Sequence, residues 1–173
     1  MSSKIRLLLL LLCLFVGILA GRKAGVPWSS AVSRNQADPS VIRASAAAET
    51  WYEGSSGYAE AEGLKRDSHA AIIVYFRTDW CPYCKRFDHD IVPSTEVAAF
   101  LKTVFKVRVN PEQGPKERAL AESFGVHGYP SIFMVPANGE LPVKVYPFVK
   151  AGETFQPVPP ADFVASCRQA AGS

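Results

Sequence analysis

The stretch Ala70-Ala71-Ile72-Ile73-Val74-Tyr75-Phe76-Arg77-Thr78-Asp79-Trp80-Cys81-Pro82-Tyr83-Cys84-Lys85 decides the fold. Residues 70–76 are a continuous apolar, largely β-branched run without polar alternation, the pattern of a strand buried on both faces at the centre of a sheet. A turn over 77–80 leads into Cys81-Pro82-Tyr83-Cys84, after which Phe87 and Ile91 recur at the i, i+4 spacing of one helical face. The local order is strand, turn, cysteine pair, helix.

Pro93 ends that helix by pushing Val92 toward extended geometry, and Val97, Phe100, Leu101 and Val104 carry the core spacing of the next one. Residues 105–109 read as a strand, 110–115 as a Pro- and Gly-punctuated loop, and 116–124 as a helix with Ala119, Leu120 and Phe124 as its apolar stripe, closed by Gly125. Residues 131–135 form a further strand, Asn138-Gly139 a hairpin turn, and 143–148 the returning strand. Pro142 and Pro147 put that last strand at a sheet edge. Upstream, residues 58–66 read as a short helix; downstream, 162–171 form a closing helix with Phe163, Cys167 and Ala170 on one face. The sum is an α/β sheet covered by helices.

A chain of 173 residues, 48% hydrophobic and 20% charged, suits one globular domain and excludes a disordered or collagen-like chain. The net charge of +3 is concentrated in residues 1–48, which hold six basic residues against Asp38 alone; the rest carries 13 basic and 15 acidic groups, so no nucleic-acid partner is implied. Lys4 and Arg6 precede fourteen apolar or small residues, Leu7 to Ala20, the charge-then-hydrophobe order of an export signal. As a helix that run reaches roughly 21 Å, short of the ~30 Å hydrocarbon core. Ala20 suits the last position before a cleavage site, whereas Ile18 and Arg22-Lys23 do not, so residues 1–21 are a signal peptide or a membrane anchor. Cys13 is an apolar filler within this run. Residues 22–48, rich in Ser and Ala and including Trp28, form a flexible linker with a reach of roughly 30 Å, and residues 49–173 the folded domain. The expected location is exported, periplasmic or luminal, membrane-anchored or secreted.

Pro82 fits best at the first helical position, which places Cys81 at the N-cap with its sulfur facing the helix start. Orphan backbone N–H groups, the positive end of the helix dipole and the nearby Lys85 and Arg86 favour thiolate there, drawing the Cys81 pKa below the free value of about 8.5. Cys84 lies one turn on and on the same side, close enough for the two sulfurs to bridge. Cys81 is then the nucleophile that engages a substrate sulfur, and Cys84 the resolving cysteine that expels it by closing a redox-active disulfide. Zinc would need four ligands, and His69, His89, His127 and Cys167 stand at no paired ligand spacing, so no metal is assigned. No organic cofactor is required. Cys167, on the apolar face with Phe163, reads as a core cysteine, and His127 as a surface loop residue.

Asp79-Trp80-Cys81-Pro82-Tyr83-Cys84-Lys85 resembles the active-site segment of the thioredoxin family, and Gly128-Tyr129-Pro130-Ser131 resembles its cis-proline loop, close to the G-Y-P-T of protein disulfide isomerase domains. The likeness covers about residues 55 to 170 and is greatest to exported, membrane-tethered thioredoxin-like proteins. It implies a thioredoxin fold, with a central mixed β-sheet flanked by helices. It further implies a cis Tyr129-Pro130 bond whose backbone pairs with an extended substrate segment. Trp80, Tyr129 and Pro130 are the substrate-binding residues under this resemblance; Pro82, Tyr83 and Lys85 tune the active site. The chain departs from the family at Tyr75, six residues before the first cysteine, where many members carry a buried Asp or Glu that accepts the proton of the second cysteine. Water or Asp79 would then serve Cys84. Glutaredoxins also use C-P-Y-C, but Trp80 and the linker fit them less well.

The expected function is thiol–disulfide exchange with protein thiols and disulfides and a separate redox partner, by a monomer associated with a membrane if its N-terminal segment is retained. Reductant, oxidant and isomerase share this constellation and differ in potential. Two rivals stand beside it: a copper delivery module using the reduced pair as soft ligands, and a non-catalytic thioredoxin-fold binding module with a structural disulfide.

Overall fold

A computed structural model of the chain describes residues 50–172. The signal or anchor segment, the linker, Cys13 and Trp28 lie outside the described residues. Strand β2 (Ile72–Phe76) is the middle strand of a five-stranded sheet. It pairs in parallel with β3 (Phe105–Val109) and antiparallel with β4 (Ser131–Val135). A short β1 (Trp51–Glu53) adds to β3 in parallel, and β5 (Val143–Val145) adds to β4 antiparallel, giving the order β1-β3-β2-β4-β5. The sheet is therefore mixed.

The unbroken apolar run has a direct structural cause. Successive side chains of β2 point to opposite faces, and both faces are covered. Ile73 and Tyr75 enter one core, packed by α2 (Pro82–Arg86) and its π-helical continuation (Phe87–Ile91), by α3 (Thr95–Leu101) and by α5 (Pro160–Ala170). Ile72, Val74 and Phe76 enter the other, packed by α1 (Gly54–Ser68) and α4 (Pro115–Ser123). Phe87 anchors the first core, edge-on to Tyr75 at 5.0 Å and to Phe163 at 5.7 Å. Replacing it with alanine should remove about 3–5 kcal/mol of stability. Urea unfolding of the oxidised wild-type and Phe87→Ala proteins measures this, and a loss below about 1 kcal/mol would mean that the core refills the space.

Several features differ from the sequence reading. β1 was not expected, and α1 begins at Gly54 rather than Tyr58. The Gly-Ser-Ser-Gly start resembles a linker, but Gly57 is there for proximity: a Cβ on it would lie 2.9 Å from the Tyr52 backbone. On α4 the buried residue is Ala121, with Leu120 and Phe124 half-buried and Ala119 exposed. Val104 is buried but follows α3 instead of ending it. The returning strand stops at Val145, because Pro147 has no N–H to continue the ladder. The chain then makes a separate hairpin, β6 (Phe148–Ala151) with β7 (Thr154–Pro157), turned at Gly152 with φ 63°.

Candidate active site

Cys81 is the N-cap of α2, in extended conformation at φ −67° and ψ 114°, with Pro82 in the first turn, where a missing N–H leaves no helical bond unmade. The Cys84 N–H donates to Cys81 Sγ at 3.1 Å, and the Lys85 N–H donates to the Cys81 carbonyl at 3.2 Å. The sulfur thus occupies the place a serine or aspartate oxygen takes in an ordinary cap, facing orphan N–H groups and the positive helix end. Cys81 and Cys84 are joined as a disulfide, with Cα atoms 5.2 Å apart. Cys81 is 2% exposed and Cys84 fully buried, so the disulfide is almost closed off from solvent, with Cys84 the deeper of the two.

Trp80, 63% exposed, stands beside the pair. Its indole N–H donates to Glu112 Oε1 at 2.9 Å, and its ring meets Tyr129 edge-on at 6.2 Å. Glu112 is itself held by the loop, its N–H bonding Asn110 Oδ1 at 3.0 Å. Tyr129-Pro130 is a cis peptide bond, as the resemblance implied, and it leads directly into β4 beside β2. The fold thus brings Trp80, Tyr129 and Pro130 to one side of the disulfide. Tyr83 is half-buried and packs on the β6–β7 hairpin, while Pro82 and Lys85 are exposed.

The surroundings of Tyr75 supply what sequence reasoning missed. Its hydroxyl donates to the backbone carbonyl of Cys84 at 3.3 Å, and the Asp88 carboxylate lies close enough to act on it electrostatically. Burial first, then the Asp88 charge, holds the phenol well above the ordinary tyrosine range. Burial raises the Asp88 carboxyl, opposed by the charge of Arg77, whose Nε lies 3.8 Å away, and by the Tyr75 hydroxyl. Asp79, by contrast, is in solvent and pairs with Arg77 at 3.4 Å. The partly buried carboxylate beside Tyr75 is therefore Asp88, not Asp79. The signal was present in the chain, because Asp88 follows Cys84 by four residues, one turn along the same face.

His127 is exposed, and His89 pairs with Asp90 at 2.7 Å on the surface. Among the described residues, no three His, Cys, Asp or Glu side chains gather as a metal-ligand set, and no helix is long and apolar enough to cross a membrane. Cys167 is fully buried on α5 and unpaired, and burial pushes its thiol up to about 12. Iodoacetamide should therefore label Cys167 only after denaturation, which peptide mass spectrometry of native and unfolded samples can read. Labelling in the native state at the rate of a free thiol would show that this core opens.

A cysteine pair capping a helix at the end of the central strand, with a cis-proline loop across from it, is the arrangement of a thiol–disulfide oxidoreductase. The family model of the thioredoxin-like domain matches residues 59–156, and the chain belongs to that family. Among curated relatives, it is 27% identical over 81 residues to the thiol:disulfide interchange protein DsbD of Photorhabdus laumondii, covering 46% of this chain and 14% of that one. It is 34% identical over 70 residues to human protein disulfide-isomerase A2, covering 40% of this chain and 13% of that one. The chain thus aligns with about one-seventh of the length of these relatives. Among solved structures, a DsbH oxidoreductase superposes with a TM-score of 0.52 at 26% identity, covering 66% of this chain and 81% of that one.

Proposed function

We propose that this protein exchanges disulfides with thiols of protein substrates outside the cytoplasm, with Cys81 as the nucleophile and Cys84 as the resolving cysteine. The observation that carries the reading is the capping sulfur of Cys81, set against helix N–H groups beside the exposed Trp80, with Cys84 buried behind it. In the oxidising direction a substrate thiolate attacks Cys81 Sγ, breaking the internal bond and releasing Cys84 as a thiolate that takes up a proton. A second substrate thiolate attacks the mixed disulfide, and Cys81 leaves as the thiolate its position stabilises. The protein gains two electrons, and the substrate leaves with a new disulfide. Reduction runs the same steps backward, with Cys84 losing its proton to attack the mixed disulfide. Asp88, the partly buried carboxylate one helical turn after Cys84, takes this proton by way of a water molecule, while the Tyr75 hydroxyl holds the Cys84 backbone through its carbonyl.

The charged start and apolar run at residues 4–20 support export, with the N-terminal segment cleaved or kept as an anchor. The domain acts as a monomer on protein clients, and a separate redox partner restores its starting state. A glutathione redox series on the full chain tests the reading: a reversible two-electron couple is expected. A potential near about −270 mV assigns reduction, and one near about −120 mV assigns oxidation. The absence of any reversible couple would overturn the proposal.

A further inference from the structure

The β6–β7 hairpin stands outside the main sheet, and two strands alone are marginal in water. The active-site helix holds it. The Tyr83 ring, between the two cysteines in sequence, meets Phe148 at 5.4 Å and Phe155 at 5.8 Å. One turn later, Arg86 lies over the Phe148 ring at 5.6 Å and donates to the Phe155 carbonyl at 3.4 Å. At the base of the hairpin the Val158 N–H donates to the Pro147 carbonyl at 2.9 Å. Between hairpin and active-site loops this leaves an apolar cleft of about 280 Å³. Tyr83, Tyr129 and Pro130 form its inner walls, and Tyr146, Phe148 and Phe155 its outer ones. Tyr146 and Phe155 are 62% and 44% exposed, an unusual amount of aromatic surface to leave in water.

We propose that this cleft is a specificity pocket that takes a large apolar, preferably aromatic, side chain from the client polypeptide within two residues of its reacting cysteine. The inference rests on the thiol–disulfide reading above. Its walls are continuous with the reacting site: Tyr83 lies within the cysteine motif, and Pro130 ends the loop across from it. A client cysteine bonded to Cys81 Sγ brings its chain neighbours, at about 3.3 Å per extended residue, over these rings. The cleft has room for one or two side chains rather than a large cofactor. Its lining is aromatic faces and prolines, with Arg86 and Lys144 only on the outer side of the rings, so it rewards burial of apolar surface. The hairpin, whose residues face this cleft and otherwise little of the core, is the element that would distinguish one client from another.

The test mixes the oxidised full-length protein with short synthetic peptides that each contain one cysteine, flanked within two residues by phenylalanine, serine or aspartate. Glutathione, whose cysteine has no apolar neighbour, serves as the reference probe. Stopped-flow tryptophan fluorescence follows each reaction. The phenylalanine peptide should react about tenfold or more faster than the serine peptide, the ratio expected from burying much of one aromatic side chain. The aspartate peptide, with no apolar surface to bury, should show no comparable gain. In Phe155→Ala the phenylalanine-to-serine ratio should fall toward one, and in Tyr146→Ala, at an exposed position independent of hairpin packing, it should fall in the same direction. Equal rates for the phenylalanine and serine peptides, with glutathione exchange intact, would overturn the pocket and leave the oxidoreductase reading standing. Failure of the wild-type protein to exchange even with glutathione would overturn that reading itself. If Phe155→Ala instead accelerates all peptides alike, the cleft is filled by the protein's own chain and the proposal falls.

Discussion

Cys84→Ser will accumulate disulfide-linked adducts with client proteins, whereas Cys81→Ser will form none. The asymmetry follows from the positions of the two sulfurs. With Cys84 gone, Cys81 still caps α2 and still reacts, but nothing behind it can displace the bound client, so a normally transient mixed disulfide persists. With Cys81 gone, the remaining sulfur is fully buried beneath the loop, away from the aromatic surface of Trp80 and Tyr129, and lacks the helix-start environment that favours thiolate. Both variants should lose two-electron turnover entirely. Against the reduced wild type, Cys81→Ser should change stability far less than activity, because serine fits an N-cap and the helix beyond it is held by Phe87 and Ile91. Non-reducing electrophoresis of cell extracts, followed by mass spectrometry of bands that collapse on reduction, reads the outcome. Equal adduct formation by both variants, or none by Cys84→Ser, would defeat the assigned roles.

The second large effect is expected at Asp88. Asp88→Asn removes the partly buried carboxylate one helical turn after Cys84, the proposed proton acceptor, and should slow the step in which Cys84 expels the client by about 100-fold, the usual order of general-base assistance. The first attack on Cys81 should be little changed. Tyr75→Phe keeps the ring packed on Trp51 and Phe87 but deletes the hydroxyl. That hydroxyl lowers the Asp88 pKa, so its loss raises it further, and the pH at which the carboxylate becomes available as a base moves up. The rate of the resolving step, measured against pH on a preformed mixed disulfide, should therefore begin its rise at higher pH in Tyr75→Phe than in wild type. A pH also enters stability: a buried carboxyl with a raised pKa favours the folded state least when ionised. Asp88→Asn should then gain stability over wild type as pH rises through the Asp88 pKa, and show no gain below the ordinary carboxylate range. An unchanged resolving rate in Asp88→Asn would remove it from the reaction.

The parts of this fold that could be read from the chain are those where one physical demand dominates. Ile72–Phe76 had to be buried on both faces, and Pro82 had to begin a helix, so the strand and the capping sulfur followed from residue type alone. The elements that escaped are those in which two demands compete. Trp51 and Tyr52 send their rings to opposite cores, so a three-residue edge strand shows neither alternation nor a long run. Gly54 and Gly57 look like chain breakers, yet they open a helix, Gly54 because the chain turns there at φ 68° and Gly57 because its backbone must approach Tyr52. Residues 148–157 have little buried surface, and their pairing is visible only through the glycine at the turn and the aromatic contacts to Tyr83. Asp88 was hidden among the charges of what looks like a solvated face. The π-helical turn over Phe87–Ile91 carries it with Tyr75 instead, and such turns recur at functional sites.

The sealed thiol of Cys167 has a consequence for the history of each molecule. Among the described residues only two cysteine sulfurs can meet, so their oxidation has a single outcome, and the domain holds no wrong partner to be sorted out afterwards. A domain that is repeatedly oxidised and reduced in the course of its work returns each time to the same covalent structure. Its fidelity over many cycles is a property of where α5 puts one side chain, and it needs no proofreading.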